Sequence, residues 1–379
     1  MRFFLRAAVL ISGIIITAAW IMGAGKADEV TASAYVLMEA DTKSIIEGDC
    51  PDKRLNSGYL SKLMGVLLVA EDINSGKYSI NDILTASDSV TNAKGSVIWL
   101  ESGDTLSVDE LLKSVIIGNA NDALTVLAER SSGSVDAFVM DMNAKALDLG
   151  LRDTFFESPY GYSGEASYST AHDVAVICSE LLRYDFLQHY FKIWRDFVRN
   201  GQVELVSENT LTRTYSAHAG FKACHSDICG YCIAEAGRDD DGTAFVAVII
   251  GAESAEMTFN FAKNLLRKGF RNYNVSDTMF LDEMLKPVMV RSGTASAVEI
   301  GIEKQGRAVV PAGSAALRAK VVIPEYLTAP VRAGQPVGTA AFYNDDKLVF
   351  EADIITKSAV PELDFAYVFR EVLVKLIEK

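Results

Sequence analysis

The sequence predicts an α+β fold, in which a mixed domain with an antiparallel sheet and helices precedes a small all-β domain and a C-terminal amphipathic helix. Three observations predict it. Strand-like segments stand at both ends of residues 28–275 with helical periodicity between them, which favours one domain whose terminal parts share a sheet. Short alternating runs interrupted by glycine and proline follow over residues 286–356 and indicate strands of a small sandwich-like domain. Residues 361–379 repeat apolar side chains at helical spacing.

The first 27 residues have the pattern of an export segment. Arg2 and Arg6 precede the apolar run AAVLISGIIITAAWIMGAG, and small residues surround Lys26. We expect either a signal peptide that is cleaved after Ala27 or an uncleaved anchor, because a run of about 19 apolar residues is long enough to cross a bilayer. Both alternatives predict that the rest of the chain lies outside the cytoplasm, in the cell envelope.

The composition suits a chain with a large core and excludes one class of partner. Hydrophobic residues make up 49% of the 379 residues, enough for two domains. The formal net charge is −14, and no group of lysines and arginines offsets it. We therefore expect no nucleic acid partner.

Two strands and a buried helix open the mixed domain. The segment SAYVLMEADTKSIIEG is interrupted by a turn at residues 41–43 and predicts a pair of strands. The segment YLSKLMGVLLVAEDI is apolar on nearly every side and therefore indicates a helix in the centre of the domain. Ser107 and Glu110 have the spacing of a capping box, which predicts that a helix begins in VDELLKSVII.

Four more helices and a second pair of strands complete this domain. A break at residues 118–120 precedes a helix from Asn121 to about Arg130. The segment VDAFVMDMNAKALDLGL is amphipathic and ends at Gly150, a typical C-terminal cap, and TAHDVAVICSELLRY predicts another helix. The segment GYCIAEAGRDDDGTAFVAVIIGA predicts two strands around a turn at residues 240–242, followed by a helix in AEMTFNFAKNLLRKGFRNY.

The C-terminal helix has an apolar face opposite mixed charges. Its apolar positions follow the i, i+3, i+4, i+7 spacing: Phe365, Val368, Phe369, Val372, Leu373, Leu376 and Ile377. Such a helix fits the surface of a membrane, where its aromatic residues would enter the interface. A helix docked on its own domain remains the alternative, because the charges are of both signs.

The cysteines number five, which leaves at least one without a disulfide partner inside the chain. Cys50 and Cys178 stand alone. Cys224, Cys229 and Cys232 stand close together, but their spacing matches no structural zinc pattern well, so we expect no metal and no cofactor. A buried thiol is the simple interpretation of Cys232, and a disulfide from Cys224 to Cys229 or Cys232 remains open.

Three fragments carry the functional prediction. Tyr59-Leu60-Ser61-Lys62 lies at the start of the buried helix, Asn119-Ala120-Asn121 at the break between two helices, and Lys222-Ala223-Cys224 in the strand region. Their order and spacing resemble the S-x-x-K, S-x-N and K-T-G boxes of penicillin-recognising serine enzymes.

The surrounding segments narrow this resemblance. YVLMEADTKSIIEGDCPDKRL, SVIWLESGDTLSVDELLKSVIIGNANDALTVLAE and FVMDMNAKALDLGLRDTFFESPYGY resemble the D-alanyl-D-alanine carboxypeptidases, which are low-molecular-weight penicillin-binding proteins of peptidase family S11. The resemblance implies a serine β-lactamase/DD-peptidase-like domain. It also implies that a first-box serine attacks the D-Ala-D-Ala carbonyl, that the first-box lysine takes its proton, and that water releases the acyl-enzyme.

The first two boxes lack the hydroxyl groups on which that chemistry depends. Tyr59 stands at the nucleophile position ahead of the retained Lys62, and Asn119 stands at the serine position ahead of the retained Asn121. These four residues are the candidate catalytic positions. A phenol with a pKa of about 10 and a bulky ring is a poor substitute for a serine hydroxyl.

The third box keeps its lysine and loses its other two residues. Lys222 and Ala223, at the lysine and threonine positions, are the candidate substrate-binding residues, and Cys224 replaces a glycine that permits close approach of the substrate. Ser57 and Ser61 lie about 140° and 100° around a helix from the first-box lysine, so neither shares its face. Cys224 is a capable nucleophile without an evident base.

Three hypotheses follow from the resemblance and the departures from it. The first is a non-catalytic exported protein at the outer face of the cytoplasmic membrane that binds a peptidoglycan stem peptide or a cell-wall protein. The second is a hydrolase with a shifted nucleophile. The third is a structural or interaction protein with a closed cleft, in which Lys62, Asn121 and Lys222 form a polar cluster capped by Tyr59.

Overall fold

The computed structural model describes residues 31–161, 166–278, 285–314, 316–365 and 367–370. The predicted export segment and most of the predicted C-terminal helix lie outside the described residues. Within them, the α+β fold predicted from the sequence is confirmed: a mixed domain built on an antiparallel sheet is followed by a small domain of β-strands.

Five strands form the central sheet of the mixed domain. They are β1 (Ala34–Glu39), β2 (Ile45–Asp49), β7 (His218–Ser226), β8 (Gly230–Arg238) and β9 (Ala244–Ala252). All neighbours are antiparallel, in the order β2-β1-β9-β8-β7. The first two strands come from the start of the domain and the other three from its end, which confirms that its terminal parts share a sheet.

Helices cover both faces of this sheet. They are α1 (Lys62–Asn74), α2 (Val108–Ile116), α3 (Asn121–Ser132), α4 (Val135–Asp148), α5 (Ala171–Leu181), α6 (Asp185–Phe191), α7 (Leu211–Thr214) and α8 (Ala255–Asn272). Side chains of a strand alternate between faces, so Val36 packs in the larger core with α1 and α5, whereas its neighbour Leu37 packs against α8. The predicted central helix is α1, whose Leu63 and Met64 are completely buried.

Local signals set several boundaries, and one differs from the expectation. The central helix was expected to include Tyr59, but Gly58–Ser61 forms a 3-10 turn and the α-helix begins at Lys62. The capping box is confirmed, since the Glu110 amide donates to Ser107 Oγ at 3.2 Å and the Ser107 amide donates to the Glu110 carboxylate at 3.3 Å. Gly150 follows α4 with a φ of +77°, as its predicted capping role requires.

Short hairpins extend the mixed domain away from the sheet. Strands β3 (Ile83–Thr85) and β4 (Thr105–Ser107) form one pair, and β5 (Arg195–Val198) and β6 (Val203–Val206) form another. A 3-10 turn at Asp88–Asn92 lies between the first two strands. These pieces contact α2 and α3, and the second fragment lies between those two helices.

The following residues form the small all-β domain. Its strands are β10 (Tyr273–Asp277), β11 (Val288–Arg291), β12 (Ala297–Val298), β13 (Ile300–Ile302), β14 (Arg307–Pro311), β15 (Arg318–Val322), β16 (Tyr326–Thr328), β17 (Pro336–Asn344) and β18 (Lys347–Thr356). They form sheets in the orders β13-β18-β17-β15 and β12-β11-β16, and a pair β10-β14. Val288, Ile300 and Phe342 share one of its two apolar cores.

The start of the C-terminal helix is described at residues 365 and 367–370. Phe365 and Phe369 stack with ring centroids 6.0 Å apart, and both rings are exposed. None of the helices among the described residues combines the length and the apolar character needed to cross a membrane.

Candidate functional site

A short turn holds Tyr59 beside Lys62. The 3-10 turn at Gly58–Ser61 packs against β7 and β8 and leads directly into α1. It places the Tyr59 ring over the Lys62 side chain, with Nζ 3.9 Å from the ring centroid. Lys62 is completely buried, whereas Tyr59 is half-buried. The two polar positions of the first fragment are therefore in contact, with the aromatic ring as the more exposed partner.

The amine of Lys62 is held in the interior. Its Nζ donates a hydrogen bond to the backbone carbonyl of Asn119 at 2.8 Å, which joins the first fragment to the second. Burial, and after it the positive charge of Lys222, holds the pKa of Lys62 well below its usual range. An amine with a lowered pKa is more often neutral, so this lysine keeps the chemical property of a base.

Asn119 and Asn121 lie at the break between α2 and α3. Asn119 adopts a φ of +57°, and its Nδ2 donates to a carboxylate oxygen of Glu208 at 3.1 Å. Asn121 Nδ2 donates to the carbonyl of Lys94 at 2.5 Å. The Oδ1 atoms of both side chains are buried without a hydrogen-bond partner among the described residues. Two acceptors beside the first fragment are therefore unused.

Lys222 reaches from β7 to the end of α2. Its Nζ donates to the carbonyls of Val115 and Ile116, at 2.8 and 2.6 Å. These carbonyls belong to the last turn of a helix, which attracts cations. Burial lowers the pKa of Lys222 to about 8. The side chain is thus engaged with the backbone of the protein itself.

The two remaining third-box residues face opposite sides of the sheet. Ala223 lies opposite Ile233 in the β7–β8 register and packs in the core beneath α8. Cys224 lies opposite Cys232 and belongs to the larger core on the other face, toward the first fragment. The structure therefore groups Tyr59, Lys62, Asn119, Asn121 and Lys222, together with Cys224, and places the Ala223 side chain away from them.

The neighbouring serines are engaged locally. Ser61 Oγ donates to the carbonyl of Gly58 at 2.7 Å, within the turn. The backbone carbonyl of Ser57 lies 3.9 Å from Cys224 Sγ, and the Ser57 residue is buried. Ser61 therefore uses its hydroxyl to close the turn that carries Tyr59.

Glu208 is a member of the site that sequence reasoning missed. It follows β6, and its carboxylate accepts the hydrogen bond from Asn119. Its negative charge raises the pKa of Lys62 and of Lys222. Burial lowers the pKa of both lysines by more, so the net shift of each pKa is downward. Nothing in the segment VSENTL marks this glutamate, because only folding brings it to the second fragment.

Three thiols form a second chemically active group beside the same turn. The Sγ atoms of Cys224, Cys229 and Cys232 all lie within 4.8 Å of one another, and all three residues are buried. All five cysteines carry free thiols in the structure. Three sulfur atoms at this spacing can hold a soft metal ion, which the spacing in the sequence did not lead us to expect.

Two family models match the chain. The model described as D-alanyl-D-alanine carboxypeptidase matches residues 22–254, and the one described as the C-terminal domain of penicillin-binding protein 5 matches residues 278–362. The two matches together span most of the chain, in the order in which the mixed and all-β domains occur.

Relatives and solved structures agree with these matches. The chain is 27% identical over 339 residues to the D-alanyl-D-alanine carboxypeptidase DacF of Bacillus subtilis, covering 88% of this chain and 87% of that relative. It is 29% identical over 351 residues to DacC of Escherichia coli, covering 90% and 87%. The structure of penicillin-binding protein 5 from Haemophilus influenzae superposes with a TM-score of 0.81 and 25% identity, over 88% of this chain and 98% of that one.

Proposed function

The chain belongs to the D-alanyl-D-alanine carboxypeptidase family of peptidoglycan metabolism, and from that premise we propose that it is a non-catalytic member of the family. It binds a cell-wall stem peptide or a cell-wall protein and does not hydrolyse the D-Ala-D-Ala bond. The observation that carries this proposal is the aromatic ring of Tyr59 over the amine of Lys62.

Acyl transfer needs a nucleophile within hydrogen-bond reach of its base and a free position for the carbonyl beside both. Lys62 retains the lowered pKa of a base, but a tyrosine precedes it at the spacing where the family has its serine. A phenolate leaves a tetrahedral intermediate more readily than the amine of a peptide does, so attack by Tyr59 on an amide would be reversed before an aryl ester formed. The base is kept while the nucleophile is replaced.

Labelling with a fluorescent penicillin tests the proposal. We expect no stable covalent adduct on the full chain after prolonged incubation, while an active family carboxypeptidase in the same reaction is labelled. The companion assay incubates a muropeptide with a high concentration of the protein and measures the D-alanine that is released. A covalent adduct, or D-alanine release that is lost in Cys224→Ala or Tyr59→Phe, supports the alternative of an active peptidase with a shifted nucleophile.

A second candidate, a protein with a closed cleft, is favoured by the engagement of Lys222. An amine that already donates to two backbone carbonyls has at most one N–H left for a substrate carboxylate, so it holds that carboxylate less well than a free lysine would. Calorimetry with a muropeptide separates the two candidates. The binding form predicts a saturable heat that Lys222→Met reduces, and the closed form predicts no heat for either protein.

We place the protein outside the cytoplasm, at the outer face of the cytoplasmic membrane. The apolar run near the N-terminus supports export, and the exposed Phe365, Val368 and Phe369 support contact of the C-terminal helix with the membrane surface. Fractionation of cells tests both points. Recovery of the protein in the cytoplasmic fraction would contradict export, and unchanged membrane recovery after deletion of residues 361–379 would contradict the role of the helix.

A further inference from the structure

Three cysteines meet at one end of the β7–β8 hairpin. Cys224 and Cys232 face each other across the two strands, and Cys229 lies in the turn that joins them. Gly230 has a φ of +65°, which bends the chain so that Cys229 and Cys232 point to the same place. The pairing of the strands, and not the spacing in the sequence, brings the third sulfur to the other two.

The distances between these sulfurs fit a tetrahedral thiolate site. A zinc–sulfur bond of about 2.3 Å in tetrahedral geometry places two sulfurs about 3.8 Å apart. The three Sγ atoms lie within 4.8 Å of one another, so small changes in side-chain torsion angles bring them to that spacing. A disulfide would join only two of them, at about 2.05 Å, and leave the third unused.

The surroundings are polar where a charged site needs them. Ser226 Oγ lies 3.0 Å from Cys229 Sγ and accepts a hydrogen bond from the Cys229 amide at 3.2 Å, which holds it against the sulfur. The amines of Lys62 and Lys222 lie on the same side of the sheet as Cys224.

The turn that carries Tyr59 leaves room for the sulfurs. A Cβ atom on Gly58 would lie 2.7 Å from Cys229 Sγ and 3.2 Å from Cys224 Sγ. A glycine is therefore required here by the cysteines as well as by its φ of +55°. The sulfurs of Cys224 and Cys229 therefore lie against the turn that leads into the first fragment.

We propose that Cys224, Cys229 and Cys232 bind one zinc ion, with a water molecule as the fourth ligand. Binding releases the three thiol protons to solvent and forms three zinc–sulfur bonds, without a change in oxidation state. The ion would link strands β7 and β8 to the turn between them, at the place where the cysteines pack against the Gly58–Ser61 turn. This proposal does not depend on what the cleft binds, so either proposal can fail without the other.

Metal analysis of the full chain tests the site. Protein reduced and freed of metal, then incubated with zinc and desalted, is expected to retain one zinc per chain. Cobalt in place of zinc is expected to give the intense near-ultraviolet band of thiolate-to-cobalt charge transfer. Cys229→Ser should lower the affinity for zinc by at least about 100-fold. Loss of a residue that only hydrogen-bonds to a metal ligand lowers metal affinity by about 10–100-fold, and loss of a ligand itself should lower it at least as much.

Two matched controls use the remaining cysteines. Cys50→Ser removes an exposed thiol and Cys178→Ser a buried one, both outside the group, and each should retain the zinc. Alkylation of the thiols, read by peptide mass spectrometry, tests the site in the wild-type protein. Bound zinc should protect Cys224, Cys229 and Cys232 from alkylation, whereas Cys50 should be alkylated with or without zinc. Circular dichroism verifies that each variant is folded.

Three outcomes would overturn the proposal. One is a zinc content far below one per chain in folded wild-type protein. Another is equal zinc affinity of wild type and Cys229→Ser. The third is a disulfide between Cys224 and Cys232 in the isolated protein, seen as a mass that is lower by two hydrogens and as a linked pair of peptides. In that case the protein would take up zinc only after the disulfide had been reduced and the fold had been lost.

Discussion

The amine of Lys62 lies 3.9 Å from the centre of the Tyr59 ring. Tyr59 stands three residues before Lys62 and presents the face of its ring to the amine. A cation over such a face is attracted to it by about 0.5–2 kcal/mol, more when both are removed from water. The contact thus favours the protonated form of Lys62, whose charge burial disfavours, and the ring occupies the space beside the amine.

Tyr59→Ser should give a protein that reacts with penicillin. The substitution places a hydroxyl three residues before Lys62 and removes the ring, so a slow covalent adduct is expected where the wild type forms none. Fluorescent penicillin and gel electrophoresis measure it.

The double variant Tyr59→Ser/Lys62→Met is the matched control and should lose the adduct, because no base remains. Tyr59→Phe should stay unlabelled like the wild type. A Tyr59→Ser protein that is folded but still unreactive would show that Lys62 is not placed to act as a base.

His218→Gln should lower the free energy of unfolding by about 3–5 kcal/mol at pH 6, because it removes the cation that faces the buried Glu235 carboxylate and leaves that carboxylate the hydrogen bond from Asn209. His218 Nδ1 lies 2.5 Å from Glu235 Oε1, and both residues are buried. Burial lowers the pKa of His218, but the hydrogen bond and charge of Glu235 outweigh it, and the net shift is upward. Urea denaturation at several pH values measures the effect.

The sign of the pH dependence follows from that shift. A folded-state pKa above the unfolded value means that the folded chain holds the proton more tightly. The stabilisation that His218 contributes is therefore complete below about pH 6.5 and declines as the pH rises through the folded pKa of His218. His172→Gln, whose partner Asp52 is exposed, should cost less than about 1 kcal/mol. Equal costs at both histidines would contradict the prediction.

Asp122→Ala should destabilise the mixed domain by about 3 kcal/mol or more, because each buried amide left unpaired costs about 1–3 kcal/mol. The Asp122 carboxylate accepts from the amides of Ile98, Leu100 and Ala123 at 2.8–3.1 Å. It thereby fixes the segment ahead of β4 to the start of α3. Thermal denaturation measures the loss, and the exposed Asp240→Ala should change stability by less than about 0.5 kcal/mol.

Gly58→Ala should cost more stability than Gly76→Ala. Both glycines have a positive φ, +55° and +79°, and a non-glycine residue there costs about 1–2 kcal/mol. At Gly76 nothing lies within 4 Å of the added Cβ, whereas at Gly58 it meets two cysteine sulfurs. The difference between the two variants in chemical denaturation therefore reports the contact with the thiols.

A double variant separates this contact from backbone strain. Gly58→Ala/Cys229→Ala removes the nearer sulfur and should recover most of the extra cost. If the two substitutions add without recovery, the contact between Gly58 and Cys229 does not contribute.

Much of the fold could be predicted because its segments repeat with clear periods. The short apolar runs in IAEA and VAVII, on either side of a turn, indicated strands, and the apolar character of LMGVLLVA on all sides indicated the buried helix that α1 forms. The start of that helix could not be placed, because the 3-10 turn at Gly58–Ser61 depends on packing against β7 and β8. Helix ends are set by such contacts more than by propensity.

The candidate site was predicted in part. Tyr59, Lys62 and Asn119 were singled out by their spacing, and folding joins them through the ring contact of Tyr59 with Lys62 and the bond from Lys62 to the Asn119 carbonyl. Glu208 was missed, since a carboxylate in a loop carries no periodic signal. The bonds of Lys222 to the end of α2 were also beyond reach, because they depend on how the sheet and that helix pack.

The sequence by itself determined the two kinds of domain, the order of their elements and the residue types at the three fragments, because periodicity, caps and motif spacing are local properties of the chain. Only the tertiary structure decided which of those residues meet. It placed the Tyr59 ring over Lys62, turned Ala223 toward α8, and gathered three cysteines whose spacing matched no zinc pattern. The physical reason is strand pairing: the register of β7 and β8 sets Cys224 opposite Cys232, and a contact across a sheet leaves no trace in the spacing along the chain.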